Sequence, residues 1–361
     1  MNLDESHLED LALGAVFLAT GGGGDPYVSK LLTALAFKKY GPVNLIDVSE
    51  LSDDAHVVTI GGVGAPTVGL ELLPSQNESF EALLAYEKHT GKKVDALVSF
   101  EIGGGNSLIP IMAALAKGIP VVDGDGMGRA LPEAQMMTYA ICGACPTPAV
   151  ALDYQGNATL FSTKDTHTYE RHIRGLTQAS GGMMLTVEHP MTGAFLKKAL
   201  IPSTVSFSVK LGALLRQNRG SAEQLLSPLQ SLFKDSVYGE CRLLHTGKVT
   251  DKQNSVVGGF DVGEVTIASF EEQGPPMSIS IKNEYLIAKL DGKVVASVPD
   301  LIVIVEYETS SPINAERLRY GQRVAVFAIG CPEFYRTPEA LKAVSPRCFG
   351  FDLDYVPLEA I

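Results

Sequence analysis

The hydrophobic positions change rhythm once along this chain. Up to about residue 150, short runs that are apolar on both faces alternate with longer helical segments. The runs are VNLIDV (43–48), HVVTIGG (56–62), VDALVSFE (94–101) and IPVVDGD (119–125); the helical spans are 5–19, 26–39, 76–91, 106–118 and 130–140. Strands without a polar face, separated by helices, predict a parallel sheet covered on both sides. The clearest unit is VDALVSFEIGGGNSLIPIMAALAKGIPVVDGDGMGR (94–129), which reads strand, glycine loop, helix, strand, glycine loop. Such a crossover is right-handed, and Asn106 or Ser107 would cap its helix.

Beyond about residue 155 the pattern changes. A polar helix, DTHTYERHIRGLTQAS, precedes two helices near 202–219 and 221–234, and strand-like runs then dominate. EYLIAKL and KVVASV, joined across Asp291-Gly292, predict a hairpin. The expectation is an α/β N-terminal domain with a mostly parallel sheet (1–162) and a mixed α+β, largely antiparallel C-terminal domain (163–361).

Composition narrows the function. A chain of 361 residues suits two domains. Its 29 basic and 41 acidic residues give a net charge of −12, which excludes the phosphate backbone of nucleic acid as a natural partner. No apolar run is long enough to span a bilayer, and the acidic start MNLDESHLEDLALG does not read as a secretory signal. A cytoplasmic protein with a small-molecule substrate is expected, with a homo-oligomer as the default assembly. Five cysteines form no disulfide framework. Cys142 and Cys145 form a CxxC pair without the second pair that structural zinc requires, and they read as two buried neighbouring thiols.

Three glycine-rich loops, GGVGAP (61–66), GGGN (103–106) and DGDGMG (123–128), follow three candidate parallel strands. Ligands of open α/β sheets bind at those carboxyl ends. Glu101, Asp123 and Asp125 sit there too, as general bases or acids or as ligands of a divalent metal ion. The structural alternative is that Asp123 and Asp125 shape turns and that Arg129 pairs with Glu133. A fourth stretch, ATGGGGDPY (19–27), leads into a helix, with Asp25 as cap and Pro26 in the first turn. A phosphate loop would need a preceding strand and a following Lys-Ser/Thr; this loop has neither, and Asp25 would repel polyphosphate. Its amides suit a carbonyl or carboxylate better. Gly22, Gly23, Gly24 and Asp25, with Gly104, Gly105 and Asn106, are therefore candidate substrate contacts. Arg129 is a candidate fork for a substrate carboxylate, and His167, near Asp165 and Arg171, a further contact. The other histidines read as surface or structural residues.

The ordered set LATGGGGDPY, EIGGGNS, VVDGDGMGRALPEAQM, TGKVTD, GGFDVGEV, VPDLI and SPRCFGFDLDYVP resembles the S-methyl-thiohydantoin desulfurase family over nearly the whole chain. The resemblance implies two domains divided near residue 165 and a cyclic ureide-like substrate. It also implies an association with hydantoinase/oxoprolinase-type proteins. The corresponding chemistry is hydrolysis of an S-methyl-thiohydantoin to a hydantoin and methanethiol. Two other readings remain: a non-catalytic subunit of a hydantoinase-type complex, and an ATP-dependent enzyme using the glycine loops for phosphate.

Overall fold

The computed structural model describes all 361 residues. Two sheets organise the chain. The first has nine strands. Its centre is parallel: Val43–Ile46 pairs with Val121–Asp125, which pairs with Ala96–Ser99, which pairs with His56–Gly64. These are the strands predicted from runs lacking a polar face, and helices cover them as that pattern requires. Antiparallel strands complete the sheet, so it is mixed. Asn2–Leu3 closes one edge. Met183–Thr192, Ala149–Leu152 and Ala158–Phe161 extend the other. Ile201–Pro202 adds to the end of Val121–Asp125.

The second sheet has seven antiparallel strands between Cys241 and Ile329, and it includes the predicted hairpin. The turn at Asp291-Gly292 has positive φ at both residues, 50° and 75°, the geometry that favours Asp-Gly. Side chains alternate across a strand, and here the alternation sorts residues between two cores. Val303, Val305, Ala325, Phe327 and Ile329 join the main core of 72 residues. Ile302, Ile304, Val324, Val326 and Ala328 belong to a smaller core of 17 on the other face. A register slip of one residue would exchange the two sets.

Helices Leu8–Leu18, Tyr27–Tyr40, Glu78–Thr90 and Ile109–Lys117 fall where the periodicity places them. The span 130–140 does not form one helix. It contains a 3₁₀ turn, Ala134–Met136, and a short helix, Thr138–Ile141. The cause is that carboxylates and a loop carbonyl take its amides: Leu131 N–H donates to Glu101, Ala134 N–H to Glu170 and Thr138 N–H to the Gly126 carbonyl. Asn106 and Ser107 do not cap Ile109–Lys117; they lie in a 3₁₀ turn before it. Cys142 and Cys145 are exposed, not buried, and all five thiols are free.

The first helix, Leu8–Leu18, crosses Thr204–Gln217 at close range. A Cβ on Gly212 would stand 1.7 Å from the Asp10 carbonyl oxygen, and one on Gly14 would stand 1.9 Å from that of Ser208. Arg216 pairs with Asp10 at 2.7 and 2.9 Å beside the crossing. Backbone contact this tight leaves no room for a methyl group. Gly212→Ala should cost about 1–3 kcal/mol in urea unfolding. Gly175→Ala, on an open helix surface, should be neutral or stabilising by up to about 1 kcal/mol. Equal stabilities for the two variants would contradict this packing.

Candidate functional site

The strand His56–Gly64 ends in Gly62 and Gly64, and Ala96–Ser99 leads directly into Phe100 and Glu101. These carboxyl ends open on a cavity of about 680 Å³. Its floor holds Gly23, Gly24, Gly62, Asn106 and Met127, and its walls carry five carboxyl groups: Glu101, Glu133, Glu170, Glu188 and Glu284.

The tetraglycine loop forms the floor because it lies backbone to backbone on the loop after Ala96–Ser99. Gly105 N–H donates to the Gly24 carbonyl at 2.9 Å and Asn106 N–H to that of Gly23 at 3.3 Å. A Cβ on Gly23 would stand 2.4 Å from the Gly103 carbonyl carbon, and one on Gly104 would stand 2.2 Å from the Gly24 oxygen. Only glycine permits this approach. The loop at 123–128 reaches the same cavity through Met127. The amides of Gly23 and Gly24 donate to no protein acceptor and border the cavity. Gly22 is buried below them, where a Cβ would stand 2.1 Å from Glu284 Oε1. Asp25 takes the Tyr27 N–H at 2.8 Å and pairs with Arg317 at 2.5 Å, outside the acidic cavity.

Glu101 is buried and oriented on both oxygens. Asn106 Nδ2 donates to Oε1 at 2.8 Å, and Leu131 N–H donates to Oε2 at 3.2 Å. Asn106 is itself fixed by Gly62 N–H, which donates to its Oδ1 at 2.8 Å. Burial pushes the Glu101 carboxyl up to about 8, against the two hydrogen bonds that favour its charge. Glu284 is fully buried, and its Oε2 has no partner. Burial, reinforced by the neighbouring Glu101, holds it well above the usual carboxylate range. Glu188 accepts the Tyr169 hydroxyl, and its Oε1 lies 3.1 Å from His189 Nδ1. The cations nearby are already paired: Arg174 binds Glu170 at 2.8 Å, and Lys282 binds Glu133 at 2.5 Å. The cavity therefore presents protonated and ionised carboxyls with few free positive groups, a poor environment for polyphosphate.

The acids predicted at the strand ends do not converge. Asp123 accepts Ser206 N–H at 2.9 Å, at the start of the helix Thr204–Gln217. Asp125 is buried and shapes the neighbouring loops, taking N–H bonds from Ile102, Met127 and Gly128 at 2.9, 3.0 and 2.7 Å; burial pushes it up to about 7. Neither borders the cavity. No three His, Cys, Asp or Glu side chains come together as a metal-ligand group, so these acids do not form the ligand set considered from the sequence. His167 is exposed on the helix Thr166–Ala179, away from the cavity. Arg129 does not pair with Glu133 and cannot meet a substrate carboxylate, because it is fully buried and its donors are engaged. They reach the Ala130, Pro299 and Asp300 carbonyls at 2.9, 3.1 and 2.8 Å and Thr20 Oγ1 at 2.7 Å. It joins the N-terminal α/β layer to the antiparallel sheet.

Two adjoining domain profiles account for the chain. The S-Me-THD-like N-terminal domain matches residues 6–163, and the S-Me-THD-like C-terminal domain matches 164–358. The chain belongs to the S-Me-THD-like family. No curated protein matches the sequence. Among solved structures, an X-ray crystal structure of a protein from Chromobacterium violaceum superposes with a TM-score of 0.83 at 25% identity. The match covers 99% of this chain and 100% of that one. Family membership gives the site a two-domain frame: Glu101 and the glycine floor come from the N-terminal domain, and Glu170, Glu188 and Glu284 come from the C-terminal one. No helix is long and apolar enough to cross a membrane.

The buried role of Arg129 gives a direct check. Arg129→Met would strand several carbonyls and remove the larger of the two positive fields on Glu284, the other being that of Lys282. Each stranded acceptor should cost about 1–3 kcal/mol in unfolding, read as a large fall in denaturation midpoint. A variant as stable as the parent would contradict the assigned junction role.

Proposed function

We propose that the protein hydrolyses a hydantoin-like ring, with S-methyl-thiohydantoin desulfurisation as the reaction the site suits best. The observation that carries the reading is a buried carboxyl, Glu101, fixed by Asn106 and Leu131 and set beside the second buried carboxyl of Glu284. Two carboxyls that cannot both ionise cheaply supply an acid and a base in one chamber.

The chemistry follows from the ring. Carbon 2 of an S-methyl-thiohydantoin is bonded to sulfur and double-bonded to nitrogen. Water adds to that carbon, the C=N electron pair moves to nitrogen, and nitrogen takes a proton. The C–S bond of the tetrahedral adduct then breaks, sulfur leaves with a proton as methanethiol, and the carbonyl of the hydantoin remains. Glu284, the carboxyl held more firmly in its acid form, donates to the ring nitrogen. Glu101, whose ionised form its two hydrogen bonds favour, takes a proton from the attacking water. The acidic walls favour the N-protonated ring electrostatically. The free amides of Gly23 and Gly24 receive a ring carbonyl.

In this reading Glu101→Gln lowers methanethiol release, followed with a thiol reagent, by about 10²–10⁴. Glu284→Gln should also lower turnover, whereas His167→Ala, exposed and outside the cavity lining, should leave it near the parent value. Because the ionised form of Glu101 is the active one, kcat should rise as pH rises through about 8. Stability has the opposite sign. The folded carboxyl binds its proton more tightly than the unfolded one, so its contribution is complete below the ordinary carboxylate value and is lost as pH rises toward about 8. Glu101→Gln should therefore flatten the fall in Tm over that range. Full activity in correctly folded Glu101→Gln would remove the assignment.

A further inference from the structure

Next to the acidic chamber lies a second cavity of about 970 Å³ with different chemistry. The two share Gly23, Gly24, Gly62, Pro66, Asn106 and Met183, so they adjoin at a common rim. Past that shared rim the walls become apolar: Val28, Leu70, Leu72, Leu73, Ile109 and Leu185 face the outer chamber. Three of the chain's exposed large hydrophobic residues border it: Tyr27, Leu73 and Tyr154 at 59%, 67% and 50% exposure. Apolar surface left open at the mouth of a polar site marks a place that a ligand covers.

The charges at this outer chamber are satisfied within the chain. Arg317 is paired with Asp25 at 2.5 Å. Glu78 accepts the Ser75 N–H at 2.8 Å. An anionic tail would meet no free cation and would face two carboxylates. A strongly charged tail of either sign would lose hydration against Leu70, Leu72 and Leu73.

We infer that the substrate is a ring carrying a bulky neutral apolar substituent. The polar ring enters the acidic chamber across the Gly23–Gly24 amides, and the substituent lies in the outer chamber. This inference rests on the ring-hydrolase reading for the orientation of the ring. It adds the substrate class: five-membered ureide or thioureide rings substituted at ring carbon 5 by a branched aliphatic or aromatic group, the shape left when an apolar amino acid is closed into such a ring. The outer chamber sets selectivity, and the inner one performs the chemistry.

The test uses two parallel series on the intact protein. In the first, S-methyl-thiohydantoins bearing hydrogen, isobutyl, benzyl, carboxymethyl or aminoethyl at carbon 5 are compared by kcat/KM for methanethiol release. Isobutyl and benzyl should exceed hydrogen by about 10- to 200-fold, and both charged groups should fall below the apolar ones. In the second, the corresponding non-reactive hydantoins are ranked by the rise they cause in Tm, and the order should match. Leu73→Asp, at a largely exposed position, should shrink the isobutyl-to-hydrogen ratio in both series. If no thiohydantoin turns over but the hydantoins still rank with isobutyl and benzyl strongest, the reaction fails and the chamber assignment stands. A flat ranking, or a charged substituent binding as well as isobutyl, overturns the inference.

Discussion

The site depends on burying carboxyl groups beneath a floor that only glycine can form. Glu101 and Glu284 lie where water is scarce, and burial makes their charged forms costly. Neighbouring features limit that cost without removing it. Asn106 and the Leu131 amide hold Glu101. Arg129, fully buried, adds a positive field to both carboxyls while its own donors go to carbonyls and a hydroxyl. The glycines of the 19–27 and 103–106 loops let two backbones touch, so the floor stays thin. Side chains there would lift the loop and open the chamber to solvent.

This arrangement also explains the division of labour between the domains. The parallel strands end in short loops that place amides and one carboxyl with little freedom. Glu133 follows on the same domain, and the C-terminal domain brings the other three acids from a helix, from Met183–Thr192 and from the start of Glu284–Leu290. Arg129 crosses between the two layers. A chamber assembled from both domains is complete only when they are packed together, which is why a junction residue and a site residue share one neighbourhood.

Much of this was legible locally. The central strands were readable because runs without a polar face require cover on both sides. Gly23, Gly24, Glu101 and Asn106 border the cavity, and each lies within a few residues of a strand or helix end, a placement that is legible locally. What escaped the sequence was convergence over long separations. Nothing in the pattern around Glu284 says that it meets Glu101, 183 positions earlier. Glu188 left a usable trace, since a charged residue interrupts the apolar strand MMLTVEHPMT, and such interruptions at buried positions mark a site or a satisfied network. Asp123, Asp125 and Arg129 lie off the cavity for one shared reason: polar residues beside glycine loops serve the loops' own amides and carbonyls as readily as a ligand. The segment 130–140 had helical periodicity, but its amides had better partners in Glu101, Glu170 and the Gly126 carbonyl.

The central claim is that a carboxyl in this chamber keeps its proton at neutral pH. Infrared difference spectroscopy of the protein across a pH titration reads it directly, because a protonated carboxyl absorbs apart from a carboxylate. The account predicts a protonated-carboxyl band at neutral pH with a component that disappears with a midpoint near 8; Glu101→Gln loses that component and keeps the one from Glu284. Complete loss of the band at the pH of ordinary carboxylates, or an identical band and titration in Glu101→Gln, would contradict it.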